Sequence, residues 1–233
     1  MGKFHDKRFP GESDAYRTAR DELLEAEMGL RRHIENVAAL RRKLPLGGEM
    51  TTDYVFQEGA QDLADTTVVR DTPLSSLFAG GKLSLILYSF MYAPDADEPC
   101  AMCTAILDSF NGSAPHVNDR VNFAVAAKAP VQEIRDWARL RSWHGLRLLS
   151  SEHNTYNADY LAEDPDGGQL PAINVFRRTE AGVFHTYNAE LLYSPADTGQ
   201  HMRHADLVWP LWNLFDLTPD GRGTDWSPRF TYD

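Results

Sequence analysis

Cysteine is nearly absent from this chain of 233 residues, which contains only Cys100 and Cys103. A fold held together by several disulfides is therefore excluded, and the 42% hydrophobic content is enough for a core that needs no covalent staple. Because the two thiols lie three positions apart, they are candidates for a redox couple, for half of a metal site, or for two neighbouring core residues.

The sequence also has no hydrophobic run long enough to cross a membrane. Its longest apolar stretch, LSLILYSFMYA, falls well short of the roughly 18 residues that a spanning helix needs. Residues 1–27 have no apolar segment typical of a secretory signal. We therefore expect a cytoplasmic protein with no membrane partner. In the cytoplasm a cysteine pair is more often catalytic or metal-binding than structural.

Positive charge is scarce as well. The 23 Lys and Arg residues face 34 Asp and Glu residues, which gives a formal net charge of −11 at pH 7. A strongly acidic surface repels phosphate backbones and anionic membranes, and this argues against nucleic acid as a partner. The partner expected for a thiol pair is a protein or a low-molecular-weight thiol or disulfide.

Residues 13–44 show the periodicity of one long amphipathic helix. Ser13 or Asp14 can cap its start, and Pro45 stops it. Its apolar residues recur at steps of three, four or seven: Leu23, Leu30, Ile34, Val37, Leu40 and Leu44. We expect this N-terminal extension, residues 1–50, to pack on its own domain or on a second copy of the chain. A homodimer through this helix is one arrangement that the pattern predicts.

From residue 51 onward, short strands alternate with helices. The near-continuous apolar run at 82–93 predicts a central strand covered on both faces. Further strands are predicted at 53–57, 66–71, 120–127 and 146–151, with a hairpin at 170–178 and 182–189; helices are predicted at 103–114, 130–143 and 203–215. This order predicts an α/β fold, a thioredoxin-like mixed β-sheet flanked by helices. The domain is expected to span residues 51–223, followed by a tail at 224–233.

Cys100 comes directly after the loop that follows the central strand, and it opens a predicted helix. Backbone N–H groups at a helix start favour negative charge, so they should lower the pKa of this thiol and raise its thiolate fraction. Cys103 lies one turn deeper and should be more buried. We predict that Cys100 is the catalytic nucleophile and Cys103 the resolving thiol, which closes a disulfide through a mixed-disulfide intermediate.

A proline stands at the start of the predicted strand that follows the second helix of the domain. In a thioredoxin plan, a proline at this place is cis and faces the cysteine pair. We therefore predict that Leu170 and Pro171 shape the substrate groove, and the sequence leaves open whether the bond between them is cis or trans.

The sequence is also compatible with two other classes of protein. Two thiolates and one imidazole suit copper(I), and His185 on the predicted hairpin is the candidate third ligand beside Cys100 and Cys103. A non-catalytic interaction module that dimerises through its N-terminal helix is the third hypothesis. Peroxidase chemistry of the peroxiredoxin kind is disfavoured, because the places where it needs a proline and a threonine hold Ala93 and Asp97.

Several segments resemble an uncharacterised bacterial family described as predicted dithiol–disulfide oxidoreductases with a thioredoxin-like fold. The resemblance runs from about Asp14 to Gly223 and is carried by LYSFMYAPDADEPCAMC, SSEHNTYNADY, VFHTYN and NLFDLTPDGRG. It implies that Cys100 and Cys103 match the dithiol of the family, and that His185 and Tyr187 match its F-H-T-Y segment. The chain departs from the family pattern beside the first cysteine: Pro99 replaces the usual glycine and Ala101 the usual proline. Thiol–disulfide exchange requires no bound cofactor, because a dithiol partner supplies the electrons.

Overall fold

The computed structural model describes residues 3–232. The chain divides into two compact units, Met1–Pro45 and Leu46–Asp233. The first unit contains helix α1, Asp14–Arg42. The side chain of Ser13 caps this helix by accepting a hydrogen bond of 3.1 Å from the backbone N–H of Tyr16. The long N-terminal helix predicted from the periodicity is therefore confirmed.

The second unit is built on a sheet of seven strands in the order β2-β1-β5-β4-β3-β6-β7. The strands are β1 Val55–Gly59, β2 Val69–Pro73, β3 Ser84–Phe90, β4 Asn122–Ala127, β5 Leu148–Ser150, β6 Ala172–Thr179 and β7 Gly182–Asn188. Strands β3, β4 and β5 run parallel, whereas β6, β7, β1 and β2 each pair with their neighbours antiparallel. A parallel β-α-β core that continues into an antiparallel hairpin is the thioredoxin-like arrangement expected from the sequence.

Four helices accompany the sheet: α2 Ala101–Arg120, α3 Val131–Arg141, α4 Tyr156–Asp159 and α5 Leu211–Phe215. Helix α2 connects β3 to β4, and α3 connects β4 to β5, because parallel neighbours need a crossover. A 3-10 turn, Leu74–Leu77, lies between β2 and β3.

Both faces of the sheet are covered, so β3 is buried on both sides. Tyr88 and Phe90 point into a core formed with α2 and α3, which also contains Cys103. Leu85 and Leu87 point into a second core on the opposite face, together with Phe176. We call these two layers the cysteine face and the opposite face. This alternation is what a strand of period two imposes on a continuous apolar run.

The structure differs from the sequence-based prediction in three elements. Helix α2 continues through Gly112 and Pro115 to Arg120 instead of ending near residue 114, because Ile106, Leu107 and Ala114 bury one continuous side of it. The predicted helix at 203–215 is wrong over most of its length: a 3-10 turn forms at Arg203–Ala205, and only α5 follows Pro210. The short helix α4 was not predicted.

The last residues of the described chain pack against the domain. Trp226 meets Trp212 and Phe215 edge-on, with ring centroids 5.3 and 5.1 Å apart. Phe230 lies 4.9 Å from the ring of Trp137. The segment expected to be a tail thus contributes aromatic contacts to the second unit. Among residues 3–232, no helix has the length and apolar character that a membrane crossing requires.

Candidate active site

Cys100 lies at the carboxyl end of the central strand. Its backbone N–H donates a 3.0 Å hydrogen bond to the carbonyl of Met91, one residue past the end of β3. Cys100 is also the N-cap residue of α2, with an extended backbone of φ −62° and ψ 123°. The loop between strand and helix therefore delivers the sulfur to the helix N-terminus, where unpaired N–H groups point outward.

The sulfur of Cys100 is an acceptor in this arrangement. The backbone N–H of Cys103 points at it across 3.4 Å, in the place where a serine or aspartate oxygen usually caps a helix. Cys100 is half-buried, whereas Cys103 is only 2% exposed. Both cysteines are free thiols in this structure. Cys103 is therefore the more buried of the two, as the sequence predicted.

The two thiols differ sharply in acidity. A hydrogen bond from the thiol of Cys103, together with the backbone N–H groups of Cys103 and Met102, lowers the pKa of Cys100 to about 6, although burial opposes this effect. No charged side chain is among the causes. The pKa of Cys103 is raised well above its ordinary value by the same hydrogen bond and by burial. At pH 7 the thiolate is therefore the favoured form of Cys100, whereas Cys103 keeps its proton.

Sequence reasoning missed Tyr88, which the structure places on the cysteine face of β3. Tyr88 is 1% exposed, and its hydroxyl lowers the pKa of the Cys103 thiol. The signal was present, because Tyr88 and Phe90 alternate with Leu87 and Ser89 in the apolar run. Which of these two sets faces the cysteines depends on the side of the sheet that α2 covers.

Leu170 and Pro171 lie beside the same end of the sheet. Ala172, which follows Pro171, pairs with Ser89, the residue before the end of β3. Leu170 is held by a 2.9 Å backbone hydrogen bond to the carbonyl of Ala162, and both residues are half-buried. The bond between Leu170 and Pro171 is trans, since no described peptide bond is cis. The position next to β3 agrees with the thioredoxin plan, whereas the bond geometry does not.

His185 does not join the cysteines. Its imidazole lies on the opposite face, 5.4 Å from the ring of Phe176, and its Nε2 is 2.9 Å from the Oδ1 of Asn174. Burial lowers the pKa of this imidazole. Tyr187, by contrast, packs against the core of the cysteine face. The residues that the structure describes contain no group of three or more His, Cys, Asp or Glu side chains placed to hold a metal ion, so the three copper ligands expected from the sequence are not brought together.

The fold and the thiol pair at a helix start define a thioredoxin-like α/β protein. The chain belongs to the family described as "Bacterial protein of unknown function (DUF899)", whose model matches residues 7–232. A comparison with curated proteins finds no significant match.

Solved structures with a related backbone include several peroxiredoxins. The reduced 2-Cys peroxiredoxin of Plasmodium vivax is 16% identical over 61% of this chain and 83% of its own, with a TM-score of 0.46. The AhpC of Enterococcus faecalis is 12% identical over 70% of this chain and 87% of its own, with a TM-score of 0.47. Peroxidoxin BcpB from Mycobacterium tuberculosis is 20% identical over 61% and 86%, with a TM-score of 0.40. At these identities the similarity concerns the fold and carries no information about chemistry.

Proposed function

We propose that this protein is a thiol–disulfide oxidoreductase that uses Cys100 and Cys103 as its redox couple. The observation that carries the proposal is the sulfur of the half-buried Cys100 at the start of α2, which accepts hydrogen bonds from the N–H and the thiol of Cys103. These donors stabilise a thiolate, and a thiolate is the nucleophile in disulfide exchange. A pair of inert core thiols would have no reason to be polarised in this way.

The exchange proceeds in two displacements. The thiolate of Cys100 attacks one sulfur of a substrate disulfide, which forms a mixed disulfide and releases the other substrate sulfur as a thiolate that takes up a proton. The sulfur of Cys103 then attacks Cys100, releases the second substrate thiol and closes the Cys100–Cys103 disulfide. Two electrons pass from the protein to the substrate. A dithiol partner restores them, so the reaction needs no bound cofactor.

The substrate approaches from the carboxyl end of β3. Leu170 and Pro171 flank this end through the pairing of Ala172 with Ser89, and we assign them to the wall of the substrate groove. Substrates of this class are protein disulfides or low-molecular-weight thiols and disulfides in a cytoplasmic setting. A net charge of −11 favours neutral or basic substrates over anionic ones.

Alkylation as a function of pH tests the acidity on which this chemistry depends. For the reduced protein, we expect the rate of iodoacetamide modification at Cys100 to rise with pH and to reach half its maximum near pH 6, because its pKa lies at about 6. Cys103 should react far more slowly at every pH, since it is buried and holds its proton. Mass spectrometry of peptides from quenched samples separates the two sites.

The denatured protein supplies the control. In denaturant, both cysteines should titrate together near the ordinary thiol value of about 8.5. A native Cys100 that titrates at pH 8.5 or above, or equal modification of both thiols in the folded protein, contradicts the proposed exchange.

We also propose that α1 pairs with the same helix of a second copy. Tyr16, Leu23, Leu30 and Val37 recur at intervals of seven residues, and the first three are exposed. On a straight helix such a stripe drifts by about 20° per heptad, and supercoiling around a partner helix removes this drift. A strict spacing of seven therefore favours packing of α1 in a coiled coil with a second helix over packing of α1 on the flat surface of a sheet.

Light scattering after size-exclusion chromatography tests this pairing. We expect a dimer for the wild type and a monomer for the double variant Leu23→Glu, Leu30→Glu, because facing carboxylates repel one another in an apolar seam. The control variant Arg32→Glu also adds negative charge, but on the other side of the helix, and should stay dimeric. A wild-type protein that is monomeric at all concentrations refutes the pairing.

A further inference from the structure

Tyr88 is a buried titratable residue to which the exchange described above gives no role. Its ring lies under α2 on the cysteine face, 5.7 Å from Phe110 in an edge-to-face contact. The ring also borders an apolar cavity of about 200 Å³, lined by Ile86, Phe110, Val117, Phe123 and Ile173 among others. The residues around the ring are therefore mostly apolar and give its hydroxyl group few possible hydrogen-bond partners.

The hydroxyl of Tyr88 is buried and has no hydrogen-bond partner among the groups that the structure describes. A buried hydroxyl without a partner is costly, so it calls for an explanation. Tyr88 and Cys103 lie in the same core, on the cysteine face. The pKa of Tyr88 is raised well above its ordinary value, first by burial and then by Cys103, and the hydroxyl in turn lowers the pKa of Cys103.

The titratable groups that act on one another at this point are Tyr88, Cys100 and Cys103. Tyr92, on the loop after β3, is influenced instead by Glu133 and Asp97. In the reduced protein the thiol of Cys103 donates to the sulfur of Cys100. This acceptor is lost once Cys100 is bonded to a substrate sulfur, and Cys103 must then carry negative charge in a buried place.

We propose that Tyr88 is a positioning residue for the second displacement, in which its hydroxyl donates a hydrogen bond to the sulfur of Cys103 as that sulfur becomes a thiolate. The inference rests on the proposed exchange function, because it concerns the resolution of the mixed disulfide. In this step the Cys103 sulfur bonds to Cys100, the bond from Cys100 to the substrate sulfur breaks, and the proton of Cys103 ends on the departing thiol. Tyr88 itself is unchanged at the end.

Stopped-flow reaction with a chromogenic aromatic disulfide, such as Ellman's reagent, separates the two displacements. The first phase releases one coloured thiolate as Cys100 attacks, and the second releases another as Cys103 resolves the mixed disulfide. For Tyr88→Phe we expect an unchanged first phase. The second phase should slow by about ten- to a hundredfold, and its pH midpoint should move up by about one to two units, as expected when a thiolate loses one hydrogen-bond donor.

Ser89→Ala is the matched control. It also removes a buried hydroxyl without a well-aligned partner from β3, but Ser89 belongs to the opposite face, so both phases should remain as in the wild type. A merely structural role for Tyr88 cannot move the pH midpoint of one phase alone. Equal second phases in Tyr88→Phe and wild type at every pH overturn the inference.

A second substitution tests the same role of the Tyr88 hydroxyl if Tyr88→Phe does not fold. Replacing Tyr88 by 3-fluorotyrosine keeps the ring and makes the hydroxyl a stronger donor, so the midpoint of the second phase should move to lower pH; an unmoved midpoint counts against the role. Failure of the proposed function gives a different result, because the wild type itself then shows no second phase.

Discussion

Replacing Cys103 by serine is expected to turn the protein into a trap for its substrates. Cys100 keeps a neighbouring hydroxyl that can donate to its sulfur, so the first displacement proceeds, but no thiol remains to resolve the mixed disulfide. Turnover should fall to background, and the protein should accumulate covalent adducts that a reducing agent releases. Non-reducing electrophoresis and intact-mass measurement detect these adducts, and their identification names the substrate.

Cys100→Ser and Cys103→Ala are the matched controls. Cys100→Ser should form no adducts and lose turnover by more than about a thousandfold, because an alcohol cannot form a disulfide and the buried Cys103 is not accessible. Cys103→Ala should still form adducts, but its alkylation midpoint should lie above that of Cys103→Ser, since the side-chain donor to Cys100 is gone. Undiminished turnover in both serine variants would end the redox assignment.

A second large effect is expected on the stability of the fold, while the acidity of Cys100 should stay unchanged. Leu87 on β3 is 0% exposed, whereas Leu83, just before the strand, is 45% exposed. Leu87→Ala should reduce the free energy of unfolding by about 2–5 kcal/mol, because it opens a cavity in the core of the opposite face. The same substitution at Leu83 should cost less than about 0.5 kcal/mol. Urea unfolding followed by tryptophan fluorescence measures both.

The alkylation midpoint of Cys100 should stay near pH 6 in both leucine variants. The side chain of Leu87 points away from the cysteine face, and the donors that set the pKa of Cys100 lie in the first turn of α2. A drop in stability that is equal for Leu83→Ala and Leu87→Ala would contradict the assignment of Leu87 to a tightly packed core.

Local signals in the sequence located the reactive part of the molecule. The run LSLILYSFMYA predicted the central strand, and the cysteine after Pro99 predicted the start of a helix. Both signals are short in range, since they depend on residues that are neighbours along the chain. The end of α2 was not predicted, because it depends on contacts between segments distant in the chain. Gly112 and Pro115 weaken a helix locally, but the burial of Ala114 in the core of the cysteine face outweighs their effect.

The place of His185 shows what pattern alone cannot decide. His185 was a candidate ligand because its hairpin was expected to lie in the same sheet as the strand before the cysteines. In a regular strand, His185 and Tyr187 would share a face. The pairing of β6 with β7 contains an irregularity between Val175 and Phe176, so that Val175 lies opposite Tyr187 and Phe176 opposite His185. A register shift of one residue moves a side chain to the other face of a sheet. His185 therefore lies on the opposite face and Tyr187 on the cysteine face.

The sequence by itself determined where the thiols stand: after a buried strand, at the start of a helix, with Cys100 one turn ahead of Cys103. Only the tertiary structure decided which side chains surround them. The covering of one sheet face by α2 places Tyr88 in the same core as Cys103, and one irregular pair in the hairpin puts His185 on the other face. Helix starts and strand cores follow from nearby residues, whereas the choice of face depends on contacts between segments distant in the chain.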